Sequence, residues 1–119
     1  MIALDKLLKA GPLPSAVMCS NDVTAIGVMR QAYEGGISVP QQLSVIGFDD
    51  LHLAQFMIPP LTTVRMSQSE IARLAFKALM NDVERKNHTE NGTEYLLETD
   101  LVLRRSTAPA NREHAPRTR

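Results

Sequence analysis

The stretch Leu43–Val64, LSVIGFDDLHLAQFMIPPLTTV, holds an apolar run that stops abruptly at two carboxylates. Leu43, Val45, Ile46, Gly47 and Phe48 make a short run with apolar residues at successive positions, the pattern of a strand buried on both faces of a parallel sheet. Asp49 and Asp50 mark its carboxyl end. In open α/β sheets ligands bind just outside the carboxyl ends of the strands, so a polar pair there is a site candidate on geometry alone. Another strand is expected over residues 61–66, after a Pro59-Pro60 pair that no helix could continue through.

Upstream, Ile2, Leu4, Leu7 and Leu8 recur at helical spacing and stop at Gly11-Pro12, which predicts a helix over 2–10. Ala16–Cys19 is a brief apolar run ending in Ser20-Asn21-Asp22, the same strand-to-polar layout as Phe48-Asp49-Asp50. Val23–Glu34 reads as a helix with Ile26, Met29, Arg30 and Tyr33 at i, i+3, i+4 and i+7, ended by Gly35-Gly36. Strand, helix and strand in this order make a βαβ unit, whose two strands run parallel. Asn21/Asp22 and Asp49/Asp50 are therefore expected on one rim.

Downstream, Ser67 and Glu70 fit a capping box that opens a helix running to about Lys86, with Ile71, Leu74, Ala78, Leu79 and Val83 on its apolar stripe. A polar turn is expected at 87–92. The loosely alternating run 94–105 reads as one bent strand or two short ones. From Pro109 onward the chain is polar and rich in Arg, a composition that predicts a disordered tail.

Composition narrows the function classes. The 119 residues suit one modest core, and thirteen basic residues cancel thirteen acidic ones. No global charge argues for nucleic acid, an anionic membrane or a charged substrate. Cys19 is the single cysteine, so no internal disulfide forms, and a buried strand position is its expected role. No apolar run approaches the length of a membrane span, and the start lacks the pattern of a secretory signal. A cytoplasmic protein is expected.

The candidate chemistry lies on the rim. Asp22, directly before a helix, reads as its N-cap. Asn21 carries an amide that both donates and accepts, which suits hydroxyl-bearing or heteroaromatic ligands, although an Asx-turn role fits it equally. Asp49 and Asp50 could bind a metal, serve in acid-base work or accept from ligand hydroxyls. No G-x-G-x-x-G, G-x-x-x-x-G-K-[ST] or G-x-S-x-G occurs, and His52, His88 and His114 are scattered without metal-ligand spacing. No catalytic set, metal or cofactor is expected.

Four segments, PSAVMCSND, GISVPQQLSVIGFDD, PPLTTVR and LVLRRST, in this order and separation resemble the carboxyl-terminal part of a LacI/GalR (lactose-repressor/galactose-repressor) bacterial transcriptional regulator. The resemblance spans Ile2 to Thr107. It implies a parallel-sheet α/β fold of the periplasmic-binding-protein-like type (type I), carboxyl-terminal portion only. It also implies a non-enzymatic role in binding a small effector, often a sugar, and in forming a homodimer. Operator DNA would be bound only through an amino-terminal helix-turn-helix, and no membrane partner is implied. Residue by residue, the resemblance puts Asn21 and Asp49 at effector-binding positions and makes Asp50 a neighbouring structural carboxylate. It leaves Asp22 a structural cap, adds a polar contact from Gln68, and places Met29, Phe56 and Met57 on a dimer-forming surface. Residues 1–107 would be a partial effector-binding and dimerisation domain and 108–119 a flexible tail. Within that domain 67–98 would belong to the amino-terminal lobe, and the whole would be a truncated reading frame or a fragment. Two alternatives remain: a receiver-like or Mg²⁺-dependent α/β enzyme using the strand-end carboxylates, and a sugar-binding protein of the periplasmic type.

Overall fold

The apolar run after Leu43 forms β2, residues Ser44–Phe48, and the rest of the sheet is laid against it. The computed structural model describes residues 3–84 and 94–110. In chain order the elements are α1 (Ala3–Ala10), β1 (Ala16–Met18), α2 (Asp22–Glu34), β2, a 3₁₀ turn (His52–Phe56), β3 (Thr62–Arg65), α3 (Gln68–Glu84) and β4 (Asp100–Val102). The strand order is β1-β2-β3-β4. β1 and β2 run parallel with Ala16 opposite Ser44 and Met18 opposite Ile46, and β3 runs parallel to β2 with Ile46 opposite Thr62. The expected βαβ unit is present. The second parallel crossover, from β2 to β3, uses only the 3₁₀ turn.

The chain divides into two units, residues 1–65 with 101–119, and residues 66–100. In the first, the core is Leu4, Cys19, Ala25, Val28, Met29, Ala32, Leu43, Val45, Ala54 and Leu61. Each large side chain in this set contributes about 1.5–3 kcal/mol of burial. The buried stripe of α2 is Ala25, Val28, Met29 and Ala32, one position before the expected Ile26, Met29, Arg30 and Tyr33. Two alanines on the inner face let the helix approach the sheet closely, while Tyr33 is 86% exposed and Arg30 pairs outward with Glu34 at 2.9 Å. The segment after β4 is laced to the sheet by Ser106. Its hydroxyl donates to the Val45 carbonyl at 2.6 Å and accepts from the Thr62 amide at 2.8 Å.

The described part of the second unit is α3 with residues 66–67 before it and 94–100 after it. Ser67 caps the helix, its Oγ accepting from the Glu70 amide at 3.3 Å, whereas the Glu70 carboxylate pairs with Arg73 at 3.5 Å and not with the cap. No residue of α3 is buried, and Phe76, Leu79, Met80 and Val83 form an exposed apolar face. Of the run 94–105, expected as one bent strand or two short ones, Asp100–Val102 forms a strand, and residues 94–99 have no regular structure. The turn expected at 87–92 and the tail beyond residue 110 lie outside the described residues.

Candidate functional site

Asn21 and Asp49 each sit three residues beyond a pair of opposed strand positions, Met18 and Ile46, on neighbouring parallel strands. The structure thus brings both to the carboxyl-terminal edge of the sheet, as the βαβ reading expects. What holds them there differs from the expectation in one respect. The N-cap of α2 is Asn21, whose backbone is extended (φ −157°, ψ 170°) and whose Oδ1 accepts from the Thr24 amide at 2.8 Å. Asp22 is the first helical residue. Asn and Asp are near-equal caps, so the sequence alone does not distinguish one from its neighbour.

Freed from capping, Asp22 is fully buried and ties the rim together. Its Oδ2 accepts from the Leu51 amide at 2.7 Å and its Oδ1 from the Thr63 hydroxyl at 2.5 Å. The Thr63 oxygen accepts in turn from the Asp50 amide at 3.3 Å. Two consecutive amides of the turn after β2 are therefore held by one carboxylate, directly or through a hydroxyl. The first turn of α2 adds the favourable field of a helix amino terminus. Gly47 makes room for this: a Cβ there would lie 2.1 Å from Asp22 Oδ1 and 3.1 Å from Leu61 Cδ2.

The turn itself is unusual. Asp49 has φ 109° and Asp50 has φ 49°, both in the region that side chains other than glycine seldom occupy. The Asp49 amide continues the ladder by donating to the Val64 carbonyl at 2.9 Å. The two carboxylates then have opposite fates. Asp50 takes Arg65 Nε on Oδ2 and Arg104 Nη2 on Oδ1, each at 2.6 Å. Burial pushes its carboxyl upward, but the hydrogen bonds and charges of Arg104 and Arg65 outweigh that and hold it below the usual aspartate range. Among the described residues the Asp49 carboxylate has no such partner and is half-buried. Arg104 was not legible as part of the rim, since 54 residues separate it from Asp50 and the motif LVLRRST gives no local reason for the pairing.

Gln68 opens α3 in the second unit. Of the three residues expected on a dimer surface, Met29 is 5% exposed and belongs to the core, Met57 is half-buried and Phe56 is 63% exposed. All three line an open groove of about 330 Å³ together with Arg30, Tyr33 and Ile58. Cys19 is buried, one residue past β1, and burial pushes its thiol upward. Among the described residues no three His, Cys, Asp or Glu side chains gather as a metal-ligand set. No helix among them is long and apolar enough to cross a membrane.

A mostly parallel sheet with helical crossovers and polar residues at its carboxyl edge is a periplasmic-binding-protein-like α/β unit, the class the sequence resemblance implies. The chain belongs to the periplasmic binding protein-like domain family, whose model matches residues 1–107, and its relatives there are LacI/GalR-type repressors. It is 40% identical over 105 residues to the HTH-type transcriptional repressor CytR of Escherichia coli K12, covering 88% of this chain and 30% of that protein. Among solved structures it resembles a dimeric Lac repressor with an 11-residue C-terminal deletion (30% identity, TM-score 0.73, 89% of this chain and 38% of that one). It also resembles a LacI family regulator from Enterococcus faecium with bound ribose (28% identity, TM-score 0.72, 90% of this chain and 38% of that one). The chain spans about a third of the length of the curated relatives it matches.

Proposed function

We propose that this chain is the effector-binding and dimerisation part of a non-enzymatic, cytoplasmic transcriptional repressor, with Asn21 and Asp49 contacting a sugar or sugar derivative. The observation that carries the reading is the contrast between two adjacent carboxylates. Asp50 is saturated by two arginines, while Asp49 stands at the strand end with its acceptor oxygens uncommitted among the described residues. An uncommitted carboxylate beside an amide donor matches a ligand rich in hydroxyls, which both donate and accept. The ribose bound by the Enterococcus faecium regulator supports the ligand class, and the Lac repressor dimer supports self-association. Gln68 enters the proposal on its position in the sequence alone. Operator DNA belongs in this reading to a helix-turn-helix segment of the kind found in HTH-type repressors, not to the residues of the sheet.

The Mg²⁺-enzyme alternative has no comparable support, because one of the two strand-end carboxylates is taken up by guanidinium groups. Calorimetric titration of the full chain with ribose, other pentoses and nucleosides tests the proposal. At least one should bind, and Asp49→Asn should weaken it by about 1.5–3 kcal/mol, the range for a hydrogen bond to a charged group, or roughly ten- to 150-fold in Kd. Equal affinity of the two proteins, or no binding across the set, would overturn it.

A further inference from the structure

The two arginines on Asp50 come from the two places where the chain crosses between its units. Arg65 is the last residue before the chain leaves the first unit, and Arg104 follows three residues after the return at Leu101. Both strands of the crossing thus end on one carboxylate, Arg65 on Oδ2 and Arg104 on Oδ1. Arg104 is the better anchored: its side chain is 18% exposed, its Nη1 donates to the Leu61 carbonyl at 2.8 Å, and its amide donates to Thr62 Oγ1 at 3.0 Å. Arg65 is 53% exposed and accordingly more screened by solvent.

The gripped residue is also half of the left-handed turn whose other half is Asp49. Such a pair persists only where its surroundings over-determine it. The backbone of the turn is held from below by Asp22 and Thr63 through the amides of Leu51 and Asp50. The Asp49 amide is held as well, by the Val64 carbonyl, and the two arginines add a hold on the Asp50 side chain that these backbone bonds do not supply.

We propose that Arg104 and Arg65 are positioning residues for Asp49, holding through Asp50 the left-handed turn that presents its carboxylate, so that the ligand-contacting group is tied to both crossing strands. The inference rests on the reading of Asp49 as an effector contact. Losing the grip should re-aim Asp49 without unfolding the sheet, because the Asp22 and Thr63 tethers remain. Arg104 should matter more than Arg65.

The full chain, labelled with ¹³C and ¹⁵N, tests this in two independent readings for wild type, Arg104→Gln, Arg104→Lys, Arg65→Gln and Asp50→Asn. The first needs no ligand: the pH titration of the Asp50 carboxyl carbon and the amide shifts of Asp49, Asp50 and Leu51. Arg104→Gln should move the Asp50 titration up toward the ordinary aspartate value and displace those amides, leaving Val17 and Val45 in place. The second is ribose affinity, expected to fall about tenfold in Arg104→Gln and in Asp50→Asn and less in Arg65→Gln. Arg104→Lys should restore more of the titration than of the affinity, since an ammonium supplies charge without the two-pronged geometry. An Asp50 titration that shifts while the Asp49 amide and the ribose affinity stay put would overturn the proposal and leave a plain ion pair. Displaced amides in a protein that binds no ribose, even as wild type, would uphold the positioning role and count against the effector reading. Should Arg104→Gln fail to fold, the largely exposed Arg65 carries the test by the same two readings.

Discussion

Gly47→Ala, made alone and together with Asp22→Ala, tests the buried carboxylate at the base of the rim. In the wild type the added Cβ falls 2.1 Å from Asp22 Oδ1, a separation that forces the carboxylate to move. That carboxylate is bound to the Thr63 hydroxyl and the Leu51 amide, so displacement weakens both bonds. Overpacking costs about 1–3 kcal/mol, and bonds to a charged acceptor are worth about 1.5–3 kcal/mol each. Gly47→Ala should therefore destabilise by roughly 3 kcal/mol or more. Asp22→Ala by itself leaves the Thr63 hydroxyl and the Leu51 amide without their acceptor and should cost roughly 3–5 kcal/mol. In that background, however, Oδ1 is gone, and the nearest atoms left to the new Cβ are Leu61 Cδ2 at 3.1 Å and the Cα of residue 22 at 3.2 Å, contacts that shifts of a few tenths of an ångström relieve. The same Gly47→Ala change should then cost about 1 kcal/mol or less, offset in part by the lower backbone entropy of alanine. The cycle thus predicts a coupling of about 2 kcal/mol or more, measured by urea melts followed by circular dichroism. Costs that simply add, within about 0.5 kcal/mol, would refute the account of why glycine stands at position 47.

Three further outcomes are expected. Asp50 titrates lower in the folded chain than its unfolded value of about 3.9. In acid the unfolded state therefore binds the extra proton, and the stabilisation is present above pH ~4 and lost as pH falls through the folded value. Urea melts across pH 6 to 3 should show the gap between wild type and Asp50→Asn closing with acid, and a constant gap would contradict this. Cys19, buried and shifted upward, should react with a disulfide reagent only as fast as the chain opens, and a rapid native-state reaction would show the thiol accessible. Tyr33, Phe56 and Ile58 are 86%, 63% and 95% exposed around one groove, so sedimentation should show a dimer that Ile58→Glu converts to monomer; an unaffected dimer would place the interface elsewhere.

The sheet was legible because its signals are local. A short apolar run ending in two aspartates and a Gly-Gly after a helical stretch each specify their element without reference to the rest of the chain, and α2, β2 and β3 lie where those signals put them. The buried stripe of α2 was read one residue late because Tyr33 and Ile26 are larger than Ala25 and Ala32. Size misleads when a helix packs closely on a sheet. The first part of the run 94–105 alternates like a strand yet forms none among the described residues, since a pattern of period two states which face would be buried and not that a neighbour exists. Asn21 and Asp49 were found by strand-end geometry. Arg65, Thr63 and Arg104 were not, because their roles depend on partners 15, 41 and 54 residues away.

The cap on α2 has a consequence for molecular recognition. With Oδ1 bound to Thr24, the Asn21 amide cannot turn over without giving up the cap, at a cost of about 1 kcal/mol. The orientation of the side chain is thus fixed: its NH₂ donates away from the Thr24 amide, while Oδ1 keeps one lone pair beyond the cap. In the proposed effector reading, a rim with an oriented amide beside a carboxylate has polarity and would distinguish the two ends of a vicinal donor–acceptor pair as a keyway distinguishes the two edges of a key. In that same reading, Asn21→Asp would keep the cap and abolish that polarity, setting a second acceptor beside Asp49 so that ligands presenting two donors are favoured.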